Sequence, residues 1–267
     1  MVMKNIQFAV FIILSGMLFV RCSNNVDPSA TSTVSLKMSA STISGKTSFS
    51  GRIEAASTVA LTDVKVNVRE IEFEFDHEDD HFKKDSCFNQ NSDLSRMGMG
   101  GQHMGSNDDH EAKLKGPFIV DLLNAGTFVD QVITTVELPN AQYEKIKFKL
   151  SPSSEAGDMQ GKSVLIKGSV GSTPFTFWHD ARAKFGVKFS DGTSLATDGS
   201  DVTLAIQLEL DKVMSVVNGG VDLSQAKDGN NDGTITIDPL NTDGNEEIAD
   251  DIMQLLTRHA RCEKKRD

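Results

Sequence analysis

The chain has 267 residues, with 38 acidic against 27 basic side chains and a formal net charge of −11. A surface this acidic repels polyanions, which excludes nucleic acid as a partner and favours solubility and the attraction of cations. Apolar residues make up 38% of the sequence, enough to build one large core or two small ones.

The N-terminus sets the compartment. Lys4 precedes an apolar run from Phe8 to Val20 that only Ser15 and Gly16 interrupt. This is the charged and then apolar pattern of a secretory signal, too short for the roughly 20 apolar residues of a membrane span. The run ends at Leu18-Phe19-Val20-Arg21-Cys22, and the chain turns polar at Ser23-Asn24-Asn25. A cysteine directly after the apolar run resembles the bacterial lipobox, in which the thiol is lipidated and becomes the mature N-terminus. Arg21 stands where a small residue is usual, and the alternative is a plain secretory signal with an incidental cysteine. The resemblance implies a signal peptide over residues 1–21 and a lipid anchor on Cys22. The protein would then sit in the bacterial cell envelope, at the outer membrane or cell surface. Removing residues 1–21 takes away Lys4, Arg21 and no acid, leaving a mature charge of −13. Residues 22–33, rich in Ser, Thr, Asn and Pro, read as a flexible tether.

The body, residues 34–267, is dominated by alternation. Val64, Val66 and Val68 share one face, and Ile71, Phe73 and Phe75 continue in shifted phase. A phase slip at Arg69-Glu70 inside one strand pattern predicts a β-bulge.

Residues 77–111 interrupt the pattern with an acidic insertion. It carries His77, His81, His103 and His110, four of the six histidines, together with Met97, Met99 and Met104. Thioether with imidazole suits copper, and imidazole with carboxylate suits zinc. The tract has no fixed ligand spacing, however, and its glycines and composition favour a solvated hairpin loop joining two strands, with metal binding the alternative.

Alternation then resumes. Ile146, Phe148 and Leu150 alternate with lysines, and Val164 and Ile166, Phe175 and Phe177, and Phe185, Val187 and Phe189 follow. Val202, Leu204, Ile206, Leu208 and Leu210 keep period 2 throughout. One-sided alternation belongs to antiparallel sheets with one wet face. About eight such strands without intervening helical pattern predict an antiparallel β-sandwich, immunoglobulin-like or similar. The exception is Glu246–Ala260, where Ile248, Ile252, Leu255 and Leu256 recur at helical spacing. Acids lead and bases trail, as the helix dipole favours. The fold class is therefore mainly β with one C-terminal amphipathic helix.

The segment 222–262 combines that helix with a candidate calcium loop. In Asp228-Gly-Asn-Asn-Asp-Gly, the residues Asp228, Asn230 and Asp232 fall on alternate positions and Gly233 follows. A hard cation with six to eight oxygen ligands suits this D-x-N-x-D-G pattern, with the Thr234 carbonyl next in line. The twelfth position, where a bidentate acid belongs, is Pro239. Asp238, one place early, points the other way if Thr234–Ile237 is extended. Asp243, Glu246 or Glu247 is then left to close the shell. The alternative is an Asn/Asp/Gly turn that satisfies its own backbone.

Three stretches carry a family resemblance. They are Thr62-Asp-Val-Lys-Val-Asn-Val-Arg-Glu-Ile-Glu-Phe73, Gly116-Pro-Phe-Ile-Val-Asp-Leu-Leu123 and Leu138-Pro-Asn-Ala-Gln-Tyr-Glu-Lys-Ile146. Over residues 34–215 the chain resembles a family of uncharacterised bacterial lipoprotein domains. The resemblance implies a secreted β-sandwich and supplies no catalytic residues.

With Cys22 lipidated, Cys87 and Cys262 form an even pair in an oxidising compartment, which predicts a disulfide between them. No nucleophile elbow, H-E-x-x-H or phosphate-cradling glycine loop occurs. Trp178-His179-Asp180 resembles an exposed binding edge, but a tryptophan beside Phe175 and Phe177 on a strand more often belongs to a core. The sequence thus predicts a non-enzymatic, lipid-anchored envelope protein with a structural calcium loop and a binding or structural role at the cell surface. A copper- or zinc-handling protein and an adhesin or glycan-binding module are the alternatives.

Overall fold

Alternating valine, isoleucine and phenylalanine side chains fill a pleated, half-buried surface well, and a computed structural model shows where each run lies. It describes residues 31–42, 48–50, 58–75, 111–189 and 194–266. The strands are β1 (Thr31–Ser41), β2 (Ser48–Ser50), β3 (Thr58–Phe75), β4 (Glu111–Asp121), β5 (Leu123–Asn124), β6 (Thr127–Phe128), β7 (Gln131–Pro139) and β8 (Gln142–Leu150). They continue as β9 (Val164–Val170), β10 (Thr173–His179), β11 (Lys184–Lys188), β12 (Leu195–Ala196), β13 (Val202–Glu209), β14 (Ile235–Ile237) and β15 (Ala260–Arg266). Among the described residues there are also two α-helices, α1 (Leu210–Met214) and α2 (Glu246–Arg258), and two single 3-10 turns. The fold is mainly β, as the alternation predicts.

Among the described residues the strands form a four-stranded sheet, ordered β15-β13-β1-β7, a nine-stranded sheet and the small β5-β6 pair. The large sheet runs β11-β8-β3-β9-β10-β14, with β2 and β4 also on β3 and β12 on β8. The expectation of purely antiparallel sheets needs correction. Strand β1 lies parallel to β13, and β14 lies parallel to β10. Hairpin arithmetic hides such pairs, because each joins strands far apart in the chain. The expectation of a single helix is corrected too, by α1.

One continuous cluster of buried side chains draws on both sheets. Val34, Leu36 and Met38 come from β1, Leu204 and Ile206 from β13, and Val64, Val66, Phe73, Ile146 and Phe148 from the large sheet. The phase slip is confirmed. Arg69 is the extra residue in the pairing of β3 with β8, where Val68 faces Leu150 and Glu70 faces Lys149. The slip turns the following apolar residues back to the core, and Ile71 and Phe73 are fully buried.

The opposite face of the same strands carries a charge ladder. Glu70, Glu72 and Glu74 on β3 stand opposite Lys149, Lys147 and Lys145 on β8, and opposite charges across neighbouring strands stabilise the pairing.

Strand β3 also organises the large sheet. On one edge its N-terminal half pairs with β9, up to Val66 with Val164. On the same edge its C-terminal half pairs with β8, from Val68 with Leu150. β8 and β9 therefore lie end to end, and residues 151–163 leave and rejoin the sheet at Asn67.

Helix α2 packs through Ala249, Ile252, Met253 and Leu256, with Ile248 and Leu255 partly buried beside them. It stops at Arg258, two residues earlier than the sequence pattern suggests, because the chain continues as β15 against β13. Strand β1 starts at Thr31, inside the tether expected over residues 22–33.

Candidate functional site

Acidic side chains placed two apart in a tight turn either gather a cation or accept the turn's own N–H groups. In the Asp228–Thr234 loop they do the latter throughout. Asp228 accepts from the N–H of Asp232 through Oδ1 at 3.1 Å and from that of Gly233 through Oδ2 at 2.8 Å. Asn230 Oδ1 accepts the Asp232 N–H at 2.8 Å, and Asp232 Oδ1 accepts the Thr234 N–H at 2.8 Å. Gly233 takes the sharp turn with φ of 91°, a conformation that suits glycine because it lacks a Cβ. Each carboxylate oxygen carries two lone pairs, so accepting one N–H leaves a second acceptor position.

The three downstream acids separate clearly. Asp243 is buried, 3% exposed, and reaches into the loop. Its Oδ1 accepts the Asn230 N–H at 3.1 Å and its Oδ2 accepts the Thr236 N–H at 2.7 Å. Glu246 and Glu247 lie exposed in the first turn of α2. Close packing holds Asp243 in place: a Cβ at Gly229 would collide with the Asp243 carbonyl oxygen. Asp238 does point away, as β-strand alternation requires. It caps the following turn, accepting the N–H groups of Leu240 and Thr242 at 3.1 and 3.0 Å and the Thr242 hydroxyl at 2.6 Å.

Asn245, which the sequence pattern did not single out, ties the segment together. It is 2% exposed. Its Oδ1 accepts the Lys227 N–H at 3.1 Å, and its Nδ2 donates to the carbonyls of Lys227 and Thr236, both at 2.8 Å. An asparagine among many in a polar stretch carries no sequence signal for such a role. The loop is attached to the large sheet by β14, whose Ile235 and Ile237 are buried. Helix α2 is attached by His179. His179 Nδ1 accepts the Ala181 N–H at 2.8 Å, which leaves the proton on Nε2, 3.1 Å from Asp250 Oδ1.

Among the described residues, no three acidic, histidine or cysteine side chains converge as a metal cluster. His77, His81, His103, Met104 and His110 lie outside the described residues, as do Cys22 and Cys87. Cys262 lies on β15, fully buried, with a free thiol. Burial pushes that thiol up to about 12, with Lys264 opposing the shift and Glu263 adding to it. Its residue makes the one isolated backbone bridge joining the small sheet to Phe189 after β11. Trp178 is half-buried, with Lys162 Nζ 5.7 Å from its ring centre. Its neighbours Phe175 and Phe177 on the same strand are buried.

A second charged cluster stands on the outer face of β3. Glu72 is 1% exposed, with Lys149 Nζ 2.7 Å from its Oε1 and Lys184 Nζ 2.6 Å from its Oε2. Glu70 also pairs with Lys149. Burial alone would raise the Glu72 carboxyl, but contacts with Glu70, Lys149 and Lys184 outweigh it and hold the group at about 2.

Comparison with protein-family models finds no match, and searches of curated proteins and of solved structures return no significant one.

Proposed function

We propose that this chain is a non-enzymatic lipoprotein, anchored in the bacterial envelope through Cys22, whose body is a β-sandwich stabilised by a structural calcium ion. The sheets form its two layers, immunoglobulin-like or similar in their stacking, and its role at the cell surface is binding or structural. A disulfide between Cys87 and Cys262 belongs to the same proposal and requires the Cys262 thiol, free and buried in this structure, to be met by a residue outside the described ones. The observation that carries the calcium reading is the place of Asp243. A buried carboxylate from the C-terminal side reaches the Asp228–Thr234 loop, which supplies the acid that Pro239 cannot. Asp228, Asn230 and Asp232, the Thr234 carbonyl and Asp243 are the ligand set. The free oxygen lone pairs take the ion, and the backbone N–H groups that the same side chains accept orient them toward it.

The test is a melting series on the full-length protein in calcium, magnesium and chelator. A ligand that binds only the folded state adds RT ln(1 + [L]/Kd), about 2.7 kcal/mol at a hundredfold excess over Kd. Calcium should raise the Tm, chelation should reverse the rise, and magnesium, with its tighter octahedral shell, should not replace it. Asp243→Asn should abolish the response, while Glu246→Gln and Glu247→Gln should retain it. A Tm indifferent to calcium and chelator alike reduces the loop to a self-satisfied turn.

A further inference from the structure

The outer face of the large sheet is basic where β4, β3, β8 and β11 lie side by side. Glu70, Glu72 and Glu74 run down its middle, with Lys149, Lys147 and Lys145 opposite them on β8. On the other side of β3, Lys115 and Lys113 of β4 stand opposite Glu70 and Glu72. Lys184 of β11 comes next to Lys149. Arg69, exposed at the β-bulge, and Arg182, just ahead of β11, join Lys149 and Lys184 around a cavity of about 550 Å³ that no acid lines. The face thus has eight cations against three acids, in a chain whose net charge is −11. Glu111 and Lys188, at its margin by register, add one charge of each sign. The three glutamates do not neutralise this surface. Lys145 and Lys147 share Glu74, and Lys149 and Lys184 share Glu72. Lys115 and Arg182 have exposed side chains with no partner among the described residues, and Arg69 spends one N–H on the Gly116 carbonyl at 3.1 Å.

Charge and chain path point to the same partner. Guanidinium and ammonium groups bind phosphate oxygens through charge-assisted hydrogen bonds. A layer of anionic headgroups attracts each lysine or arginine held against it by about 1 kcal/mol. The acids elsewhere on the chain do not cancel this attraction, because charge is screened over about 8 Å at physiological ionic strength. The chain path brings such a layer within reach. Thr31 pairs with Pro139 at the end of β7, and the Ser32 hydroxyl donates to Asn140 at 2.8 Å. Strand β8 begins directly afterwards, at Gln142, and Lys145 is only three residues further on. The tether therefore leaves the body at the end where the basic face starts. The segment from Cys22 to Ala30 spans at most about 30 Å when extended, so the lipid on Cys22 and the basic face can meet one membrane surface.

We propose that this face lies on the anionic phospholipid headgroups of the membrane that holds the anchor, with Arg69 and Arg182 taking headgroup phosphates at the cavity. The inference rests on the lipid anchor for its geometry, and its test reads the anchor and the face separately.

The experiment transfers the full-length protein from detergent onto vesicles of phosphatidylcholine alone or of an equimolar mixture with phosphatidylglycerol. Flotation reads attachment, and brief acetylation followed by peptide mass spectrometry reads which lysines are covered. Lys37, on the outer face of the small sheet, and Lys227, beside the calcium loop, are internal references. Relative to them, Lys115 and Lys184 should be acetylated at least about fivefold less on the anionic vesicles than on the neutral ones. Salt at about 1 M, where the screening length falls to about 3 Å, should remove the difference. Lys115→Gln combined with Arg182→Gln removes two charges without breaking an ion pair among the described residues. It should weaken the contact about thirtyfold, return Lys184 to its neutral-vesicle acetylation and leave the Tm unchanged. Flotation with neutral vesicles reads the anchor alone. A protein that floats only with anionic vesicles, with Lys115 and Lys184 covered, upholds the face and removes the anchor. Four results overturn the proposal: flotation with neither vesicle, equal acetylation of Lys115 and Lys184 on both, a double variant covered like wild type, or covering of the same lysines in detergent that grows with protein concentration. The last assigns the face to a second copy of this acidic chain.

Discussion

Glu72→Gln removes one negative charge from between two lysines and barely changes the side chain's shape. The perturbation is severe because Glu72 is 1% exposed and touches Lys149 and Lys184 at 2.7 and 2.6 Å. Burial raises the carboxyl, the contacts with Glu70, Lys149 and Lys184 lower it further, and the result is about 2 against an unperturbed 4.5. At about 1.4 kcal/mol per pKa unit, the stabilisation at neutral pH is at most about 3 kcal/mol, shared by Glu72 with the Glu70 that contacts the same lysine. The folded-state pKa lies below the unfolded one. The stabilisation is therefore complete above the unfolded value of 4.5 and is lost as the pH falls through the interval down to about 2. The assay is urea unfolding of wild type and Glu72→Gln, side by side, from neutral pH downward. Glu70 shares Lys149 with Glu72, so the difference reads Glu72 together with the response of Glu70 to its loss. It should be at most about 3 kcal/mol at neutral pH and shrink toward zero across the acid interval. A difference that stays constant with pH, or one below about 1 kcal/mol at neutral pH, where an exposed ion pair would fall, refutes the reasoning.

Asn245→Ala deletes three buried hydrogen bonds that join Lys227, Thr236 and the start of α2. At about 1 kcal/mol net for each, the loss should approach 3 kcal/mol in denaturant titration, and a loss under about 1 kcal/mol contradicts the tie. Non-reducing peptide mapping should recover Cys87 joined to Cys262, and a freely alkylated Cys262 in the unreduced, unfolded protein removes the bridge. In the reduced but folded protein, Cys262 should resist alkylation, because burial holds its thiol at about 12 and leaves little thiolate to react. Cys22→Ser should move the protein from the membrane fraction to the soluble or unprocessed one, and unchanged partitioning with an unchanged mature N-terminus excludes the lipid anchor.

The sequence reveals what is local. The β-bulge at Arg69 is legible because a phase change of one residue alters which side chains are apolar, and α2 is legible because its apolar positions recur at helical spacing. β15 is not. Apart from Ala260 and Cys262 it is a run of charged residues, and lysine and arginine on an edge strand deter further pairing without leaving an apolar alternation. The same charges suit a helix C-terminus, which is why the helix is expected to run on past Arg258. The start of β1 is hidden similarly, since Thr31-Ser32-Thr33 has a linker's composition although Ser32 is buried. There Ser32 donates to Asn140 at 2.8 Å.

The candidate sites divide along the same line. Asp228, Asn230 and Asp232 are readable as a spacing. Choosing Asp243 over Glu246 and Glu247 takes the path of the chain through the Asp238 turn, and no spacing rule specifies that path. The cavity at the end of β8, lined in part by Asn67, Arg69 and Arg182, leaves no linear trace at all. Asn67, Arg69 and Arg182 meet there because β8 and β9 share one edge of β3, a relation set by three strands at once.

The parallel alignment of β1 with β13 governs the order in which the chain can complete itself. Val34 faces Val202, so the first of the described strands sits between two neighbours supplied much later, β7 and then β13. Emerging from a ribosome or an export channel N-terminus first, β1 presents two open edges until β7 arrives and one until β13 does. Contacts of such long sequence separation slow folding, and an open strand edge invites pairing with other chains. Its alternate residues are Val34, Leu36, Met38 and Ala40, all buried at the end, so an unpaired β1 exposes an apolar face as well as its backbone. A protein built this way gains from being kept apart from its copies while the C-terminal third is still being delivered.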